Sequence, residues 1–377
     1  MNHLPMAHTN TPRHMPESTW LAGPNWSRTR FGEIPKYQGG LHHIAPDTYA
    51  WLVPNGSWGE TNLGLIDCGG ASVMIDTGWD LQCTREMLDT CAELTRRSPI
   101  DTVINTHADG DHCWGNQLFK DRPIIATHAC IHQMHHMQPR SLHALCQAGA
   151  LLRHIPVGGI GKFGHYMREM FRPYDFRTVV ITDPNQGFSV QKNLTVNGVD
   201  IVITEVGPGH TDGDAVVYVP SRRVAYAGDI MFVGVTPVMW SGPIEKLIAG
   251  LEFLQQLDVD VIVPGHGPLA THSDVQDVLD YWHFVHEAIQ ARFRAGLHPT
   301  EAAREVVFSQ SFQQAPWAKW DSPERLVTSA HTLYRHWGEP ASNLPGKLGT
   351  MNLMRQQAML AFELPQATPL VMRGRRA

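Results

Sequence analysis

Eight residues, Asn105-Thr106-His107-Ala108-Asp109-Gly110-Asp111-His112, constrain this chain more than any other stretch. They follow the apolar run Val103-Ile104, so two histidines and two aspartates fall where a buried strand gives way to a loop. Imidazole and carboxylate are the donors that zinc and non-haem iron or manganese take. Carboxylates held this close together are unfavourable without a cation to balance them. The chain has 22 histidines, so a loop that is merely His-rich is the competing reading. Recurrence downstream decides against it.

Three further sites repeat the arrangement. His210 lies in Gly207-Pro208-Gly209-His210-Thr211-Asp212-Gly213-Asp214, Asp229 in Ala227-Gly228-Asp229, and His266 in Pro264-Gly265-His266-Gly267-Pro268. Each follows a strand-like run: Ile201-Val202-Ile203, Val224-Ala225-Tyr226 and Val261-Ile262-Val263. The flanking glycines and prolines permit tight turns and close approach of backbone to an ion. A lone strand-end histidine is usually an ordinary loop residue; four successive strand ends of this kind point to a metal centre.

At these residues the chain resembles the metallo-β-lactamase-fold superfamily. The pattern is a His-x-His-x-Asp-His loop, then Gly-His, Gly-Asp and Gly-His at successive strand ends, with an earlier Asp after a strand. That earlier residue is Asp76 in Met74-Ile75-Asp76-Thr77-Gly78, and the resemblance runs from Gly40 to Ala288. It implies an α/β, four-layer αβ/βα sandwich with metals at one edge of the paired sheets. It says little about substrate, because the fold hosts many chemistries.

The second His of the pattern is Asp109 here. The resemblance implies that His107, Asp109 and His210 surround a first metal position. Asp111, His112 and His266 hold a second, with Asp229 bridging or serving the second alone. Two readings of the departure stay open. In one, Asp109 is a ligand, as a Glu is in the flavodiiron relatives, and the harder oxygen favours iron or manganese over zinc. In the other, one zinc sits on Asp111, His112, Asp229 and His266, and Asp109 or His107 is the base. Either way the cation, one or two zinc ions per chain or iron or manganese, acidifies water and polarises the bond under attack. Asp76 would orient a ligand through its hydrogen bond.

The function this implies is metal-dependent hydrolysis, hydroxide attacking a small, fairly apolar ester, lactone, amide, thioester or activated aryl halide. The alternative is a dinuclear iron, oxygen-dependent oxidoreductase; the chain has no appended flavin-binding pattern to support it. Trp58, in the loop Pro54 to Asn62, and Trp240, beyond Asp229, are candidate pocket walls. A net charge of −6 leaves no broad basic surface, which excludes nucleic acid as the expected partner. No run of 18 apolar residues argues for a membrane span. Six cysteines without CxxC spacing fit a reducing cytoplasm, and Cys113 reads as a small buried residue rather than a ligand.

Residues 1–40 read as an N-terminal arm, 41–290 as the metallo-β-lactamase-like domain and 291–377 as a helical C-terminal extension, with trailing Arg373-Gly374-Arg375-Arg376-Ala377 a solvated basic tail. Residues 128–176 form a Met- and His-rich helical insertion, a lid or a homodimer contact. His132 and His136 are spaced to share a helix face, but no carboxylate nearby supports a second metal site. Helices are expected over Leu81 to Arg97, Ile244 to Leu257 and Asp274 to Phe293, and a hairpin around Asn197-Gly198.

Overall fold

The structure, a computed structural model, describes residues 16–24, 26–338 and 346–369. The basic tail and the first fifteen residues of the expected arm lie outside these. Strands β1 (Thr19–Ala22), β2 (Gly40–Ala45), β3 (Thr48–Leu52), β4 (Leu63–Asp67), β5 (Ser72–Ile75), β6 (Ile100–Ile104), β7 (Ile124–Thr127) and β8 (Gln186–Phe188) form one sheet in sequential order. Its first five strands are antiparallel; β5 to β8 run parallel, with helices in the β5–β6 crossover. Strands β9 (Gln191–Val196), β10 (Val199–Glu205), β11 (Ala215–Val219), β12 (Val224–Phe232) and β13 (Val261–His266) form the second sheet, in which only β12–β13 is parallel.

Side-chain parity explains how the sheets meet. In β5, Val73 and Ile75 point to one face and Met74 to the other; in β4, Ile66 opposes Leu63 and Leu65. The inward set packs on Ile201, Ile203, Val217, Val224, Tyr226, Val261 and Val263 of the second sheet, making the middle of a sandwich. Gly64 lets the sheets close: a Cβ there would stand 2.3 Å from the Tyr226 ring. The outward set of the first sheet is covered by helix α1 (Leu81–Thr90), through Met87, and by Cys91. Ala225, Ala227 and Ile262 on the far side of the second sheet join the helical core. The order helix, sheet, sheet, helix is the four-layer sandwich.

Two elements differ from the sequence reading. The helix expected over Leu81 to Arg97 breaks at Cys91 into α1 and α2 (Ala92–Arg97). The residues up to Gly40, which carry no visible periodicity, include β1; it is short and largely exposed, so it offers no alternating apolar pattern to read. Helix α3 (Gly110–Cys113) is a single turn after the metal loop and continues as 3-10 helix through Phe119, with Trp114 buried.

Residues 128–176 hold α4 (His128–Gln133), α5 (Pro139–Leu152) and α6 (Ile160–Phe171). Met134, Leu142, Met167, Met170 and Phe171 are buried, while Leu151 is exposed. After β12 come α7 (Ile244–Gln256) and α8 (His272–Arg294), the latter entered through a capping box of Thr271 and Asp274. Helices α9 (Pro299–Phe308), α10 (Gln310–Gln314), α11 (Leu326–His336) and α12 (Gly346–Ala361) follow. Trp282 of α8, Val306 of α9 and Leu333 of α11 share one continuous core with Ile262 of the second sheet. Among the described residues, no helix is long and apolar enough to cross a membrane.

Candidate metal centre

The polar strand ends converge at one edge of the sandwich. His107 and His112 leave β6, His210 follows β10, and Asp229 and His266 sit in β12 and β13. Four imidazoles present Nε2 towards a common centre and turn Nδ1 away to an acceptor. His112 Nδ1 lies 2.8 Å from Asp76 Oδ2, His210 Nδ1 2.8 Å from the Val238 carbonyl, and His266 Nδ1 3.1 Å from the Glu60 carbonyl. His107 Nδ1 lies 3.0 Å from the Thr106 hydroxyl, which donates to Asp76 Oδ2 at 2.7 Å. An N–H donated outward leaves the inward Nε2 as a lone pair, the form a cation requires.

Asp229 sits between two groups of donors. Its Oδ2 lies 3.8 Å from His107 Nε2, 3.4 Å from His210 Nε2 and 3.3 Å from His266 Nε2; its Oδ1 lies 3.1 Å from His112 Nε2. His107, His210 and Asp229 form one cluster and Asp111, His112 and His266 a second, each with donor atoms within 4.8 Å of one another. Ligands about 2.0–2.1 Å from zinc stand roughly 3.3 Å apart at tetrahedral edges, which these separations approximate. His107 Nε2, His112 Nε2 and Asp229 Oδ1 are buried without any aligned hydrogen-bond partner. Orphaned buried atoms aimed at one another are unfavourable unless something positive lies between them. The donor set therefore fits one or two divalent cations.

The electrostatics say the same. Burial works against ionising Asp229, yet His266, His112 and His107 hold its carboxyl well below the usual range. Burial should likewise lower His210, but the hydrogen bond it donates to Asp109 and the charge of Asp229 push it up to about 9. His112 is raised against its burial by Asp229 and Asp76, and His266 by Asp229 and Asp111. His107 moves the other way, lowered by burial and by its neighbour His112. The carboxylates thus create a negative field that demands either protonated imidazoles or a cation in their place.

Asp109 lies beside the first cluster rather than within its group of donors. Its Oδ2 is 3.1 Å from His210 Nε2, and its side chain is 28% exposed, towards the cavity. Asp111 is fixed by the Thr61 hydroxyl, which donates to Oδ2 at 2.7 Å. Asp76 adopts φ +57, unusual for a residue with a side chain, and is held there by its contacts: it accepts from the Thr106 amide and hydroxyl at 2.7 Å and faces His112. Cys113 is buried with Sγ 3.5 Å from the Ala108 carbonyl, and burial pushes its thiol up. The rings of His132 and His136 lie 6.1 Å apart, and neither belongs to the two clusters.

Above the centre opens a cleft lined by Trp58 and Trp240 together with Trp79, Phe232, Met137 and Arg325. Trp79, Phe232 and Arg325 escaped the sequence reading. Trp79 offered a faint signal, since it follows Asp76-Thr77-Gly78; Arg325 offered none, lying over two hundred residues beyond the metal loop.

A family model described as the metallo-beta-lactamase superfamily matches residues 56–266. The 2,4-dinitroanisole O-demethylase subunit alpha of Nocardioides sp. (strain JS1661) is 24% identical over 292 residues, 73% of this chain and 76% of that protein. The stereoselective inverting sec-alkylsulfatase from Pseudomonas sp. superposes with a TM-score of 0.59 at 18% identity, covering 85% of this chain and 53% of its own. The chain thus spans about half the length of that sulfatase, and the likeness is one of fold.

Proposed function

Because the chain belongs to the metallo-beta-lactamase superfamily and is a metallohydrolase, we propose that it hydrolyses a small, flat and fairly apolar substrate at the His/Asp centre. The observation that carries this reading is the paired cluster of donors with its orphaned atoms, opening into an aromatic cavity. His107, His210 and Asp229 would hold one cation and Asp111, His112 and His266 the other, Asp229 reaching both; zinc suits this imidazole-rich set, with iron or manganese the alternative that carboxylates favour. Bound there, a divalent cation supplies Lewis acidity, acidifying water and polarising the scissile bond.

The protein's own groups supply the rest. Asp109, half open to the cavity and 3.1 Å from His210, is placed to take a proton from the attacking water. His107 is buried beneath Asp229, so we assign it to holding a cation rather than moving a proton. Trp58, Trp79 and Trp240 exclude bulk water and take a ring against their faces. The water oxygen bonds to the substrate, the leaving group departs with its bonding pair, and the proton returns to it from Asp109. A relative named for the demethylation of 2,4-dinitroanisole supports an activated aromatic among the ester, lactone, amide, thioester and aryl halide classes.

Metal content by elemental mass spectrometry tests the reading. The expected result is one to two divalent cations per chain, falling to well under half of that in Asp229→Ala. Full occupancy in that variant would sink the assignment.

A further inference from the structure

One charged side chain of the cavity has no part in holding cations. Arg325 sits immediately before α11, is 4% exposed, and lines the cavity with Asp111, Asp229 and His266. Its guanidinium carbon lies 5.4 Å from the centre of the Trp58 ring and 5.9 Å from that of Phe232. Phe232 in turn stacks on His266, with ring centres 5.1 Å apart and planes 5° from parallel. A positive charge is thereby fixed one aromatic ring away from the metal centre.

That charge is poorly satisfied by the protein. Nε is buried without a partner, and Nη1 makes one long contact, 3.4 Å to the Thr236 carbonyl. The adjacent Glu324 turns elsewhere, its Oε1 accepting from the Tyr166 hydroxyl at 3.5 Å. Aromatic faces stabilise a guanidinium but leave its N–H fork free. A buried arginine that lacks acceptors is unfavourable unless a ligand supplies them. The fork is planar and matches two oxygens carried on one atom, a match that an ammonium lacks.

We propose that Arg325 anchors the substrate by a planar two-oxygen substituent, a carboxylate or the similarly shaped nitro group, borne on an aromatic ring held in the cavity that Trp58, Trp79 and Trp240 line. Arg325 is then a specificity-determining residue: it orients the ring so that the reacting bond faces the cations and the two oxygens face away from them. This rests on the hydrolase reading of the same cavity.

The test is calorimetric binding of benzoate and of its neutral analogue benzamide to the metal-loaded chain, with metal content measured in parallel. Wild type should bind benzoate at least ten-fold more tightly. In Arg325→Met, with unchanged metal content, the two should bind within about two-fold of each other, and Arg325→Lys should fall between. A ten-fold preference that persists in Arg325→Met means that the cations hold the carboxylate, and overturns the proposal. So does a wild type with no preference. Should the Met variant fail to fold, Arg325→Lys decides: the preference must drop at least three-fold. A chain that carries no metal removes the hydrolase reading, while the dependence of benzoate binding on Arg325 is still read directly.

Discussion

Asp76 shows how much a single residue can fix. A left-handed backbone is unfavourable for aspartate, yet here one carboxylate organises Thr106, His112 and, through the Thr106 hydroxyl, His107. It was the family resemblance that singled it out as a supporting residue without any coordinates. Glu324 was not legible, because a Glu in a Pro-Glu-Arg turn reads as exposed. Burial raises its carboxyl from 4.5 to about 7. Between those pH values the unfolded chain releases a proton that the folded chain keeps, so stability falls as pH rises through the window. The loss is complete above pH 7 and amounts to at most about 3 kcal/mol. Glu324→Gln removes the titration. Melting temperatures at pH 5 and pH 8 should show the variant gaining on wild type at the higher pH; an equal gap at both means that Glu324 is ionised in the fold.

At the scale of elements, β12 and β13 set the centre. Their parallel pairing brings Gly265 against Asp229 so closely that a Cβ would stand 1.8 Å from Asp229 Oδ1. Gly265 is therefore a spacing residue for Asp229, the ligand proposed above, not a turn residue alone. Gly265→Ala must push Asp229 out of line, and metal affinity should drop at least ten-fold while far-ultraviolet dichroism stays that of wild type. Titration with zinc against a competing chelator measures it; unaltered affinity would show that β12 can yield at this point. The hairpin around Asn197-Gly198 and helices α7 and α8 were legible because their periods and turn residues are local. The break at Cys91 was not, because the apolar face carries on past it.

At the scale of the molecule, Asp109, Asp111 and Asp229 gather at one edge, and under the proposed reading a cation held there becomes part of the folded state. A ligand that binds only the folded chain, at a hundred times its dissociation constant, stabilises by about 2.7 kcal/mol. Chelation should lower the melting temperature by several degrees and zinc should restore it. An unmoved transition would mean that the histidines, protonated, balance the acids by themselves. The C-terminal helices act on the site at this scale too, since they deliver Arg325 to a cavity otherwise lined by strand ends, the loops that follow them and Met137 between α4 and α5.

The sequence by itself determined the superfamily and the sandwich. Ligands at strand ends come with their own turn residues, and a two-residue period marks which face of each strand is inward, so both are written locally. The resemblance already implied the two groups of donors; the tertiary structure alone decided that Asp229 faces both rather than the second only, and that Asp109 stands beside the first. It alone made Trp79, Phe232 and Arg325 walls of one cavity. Nothing local distinguishes an aromatic or an arginine that faces a cavity from one in a core; that depends on where distant helices set it down.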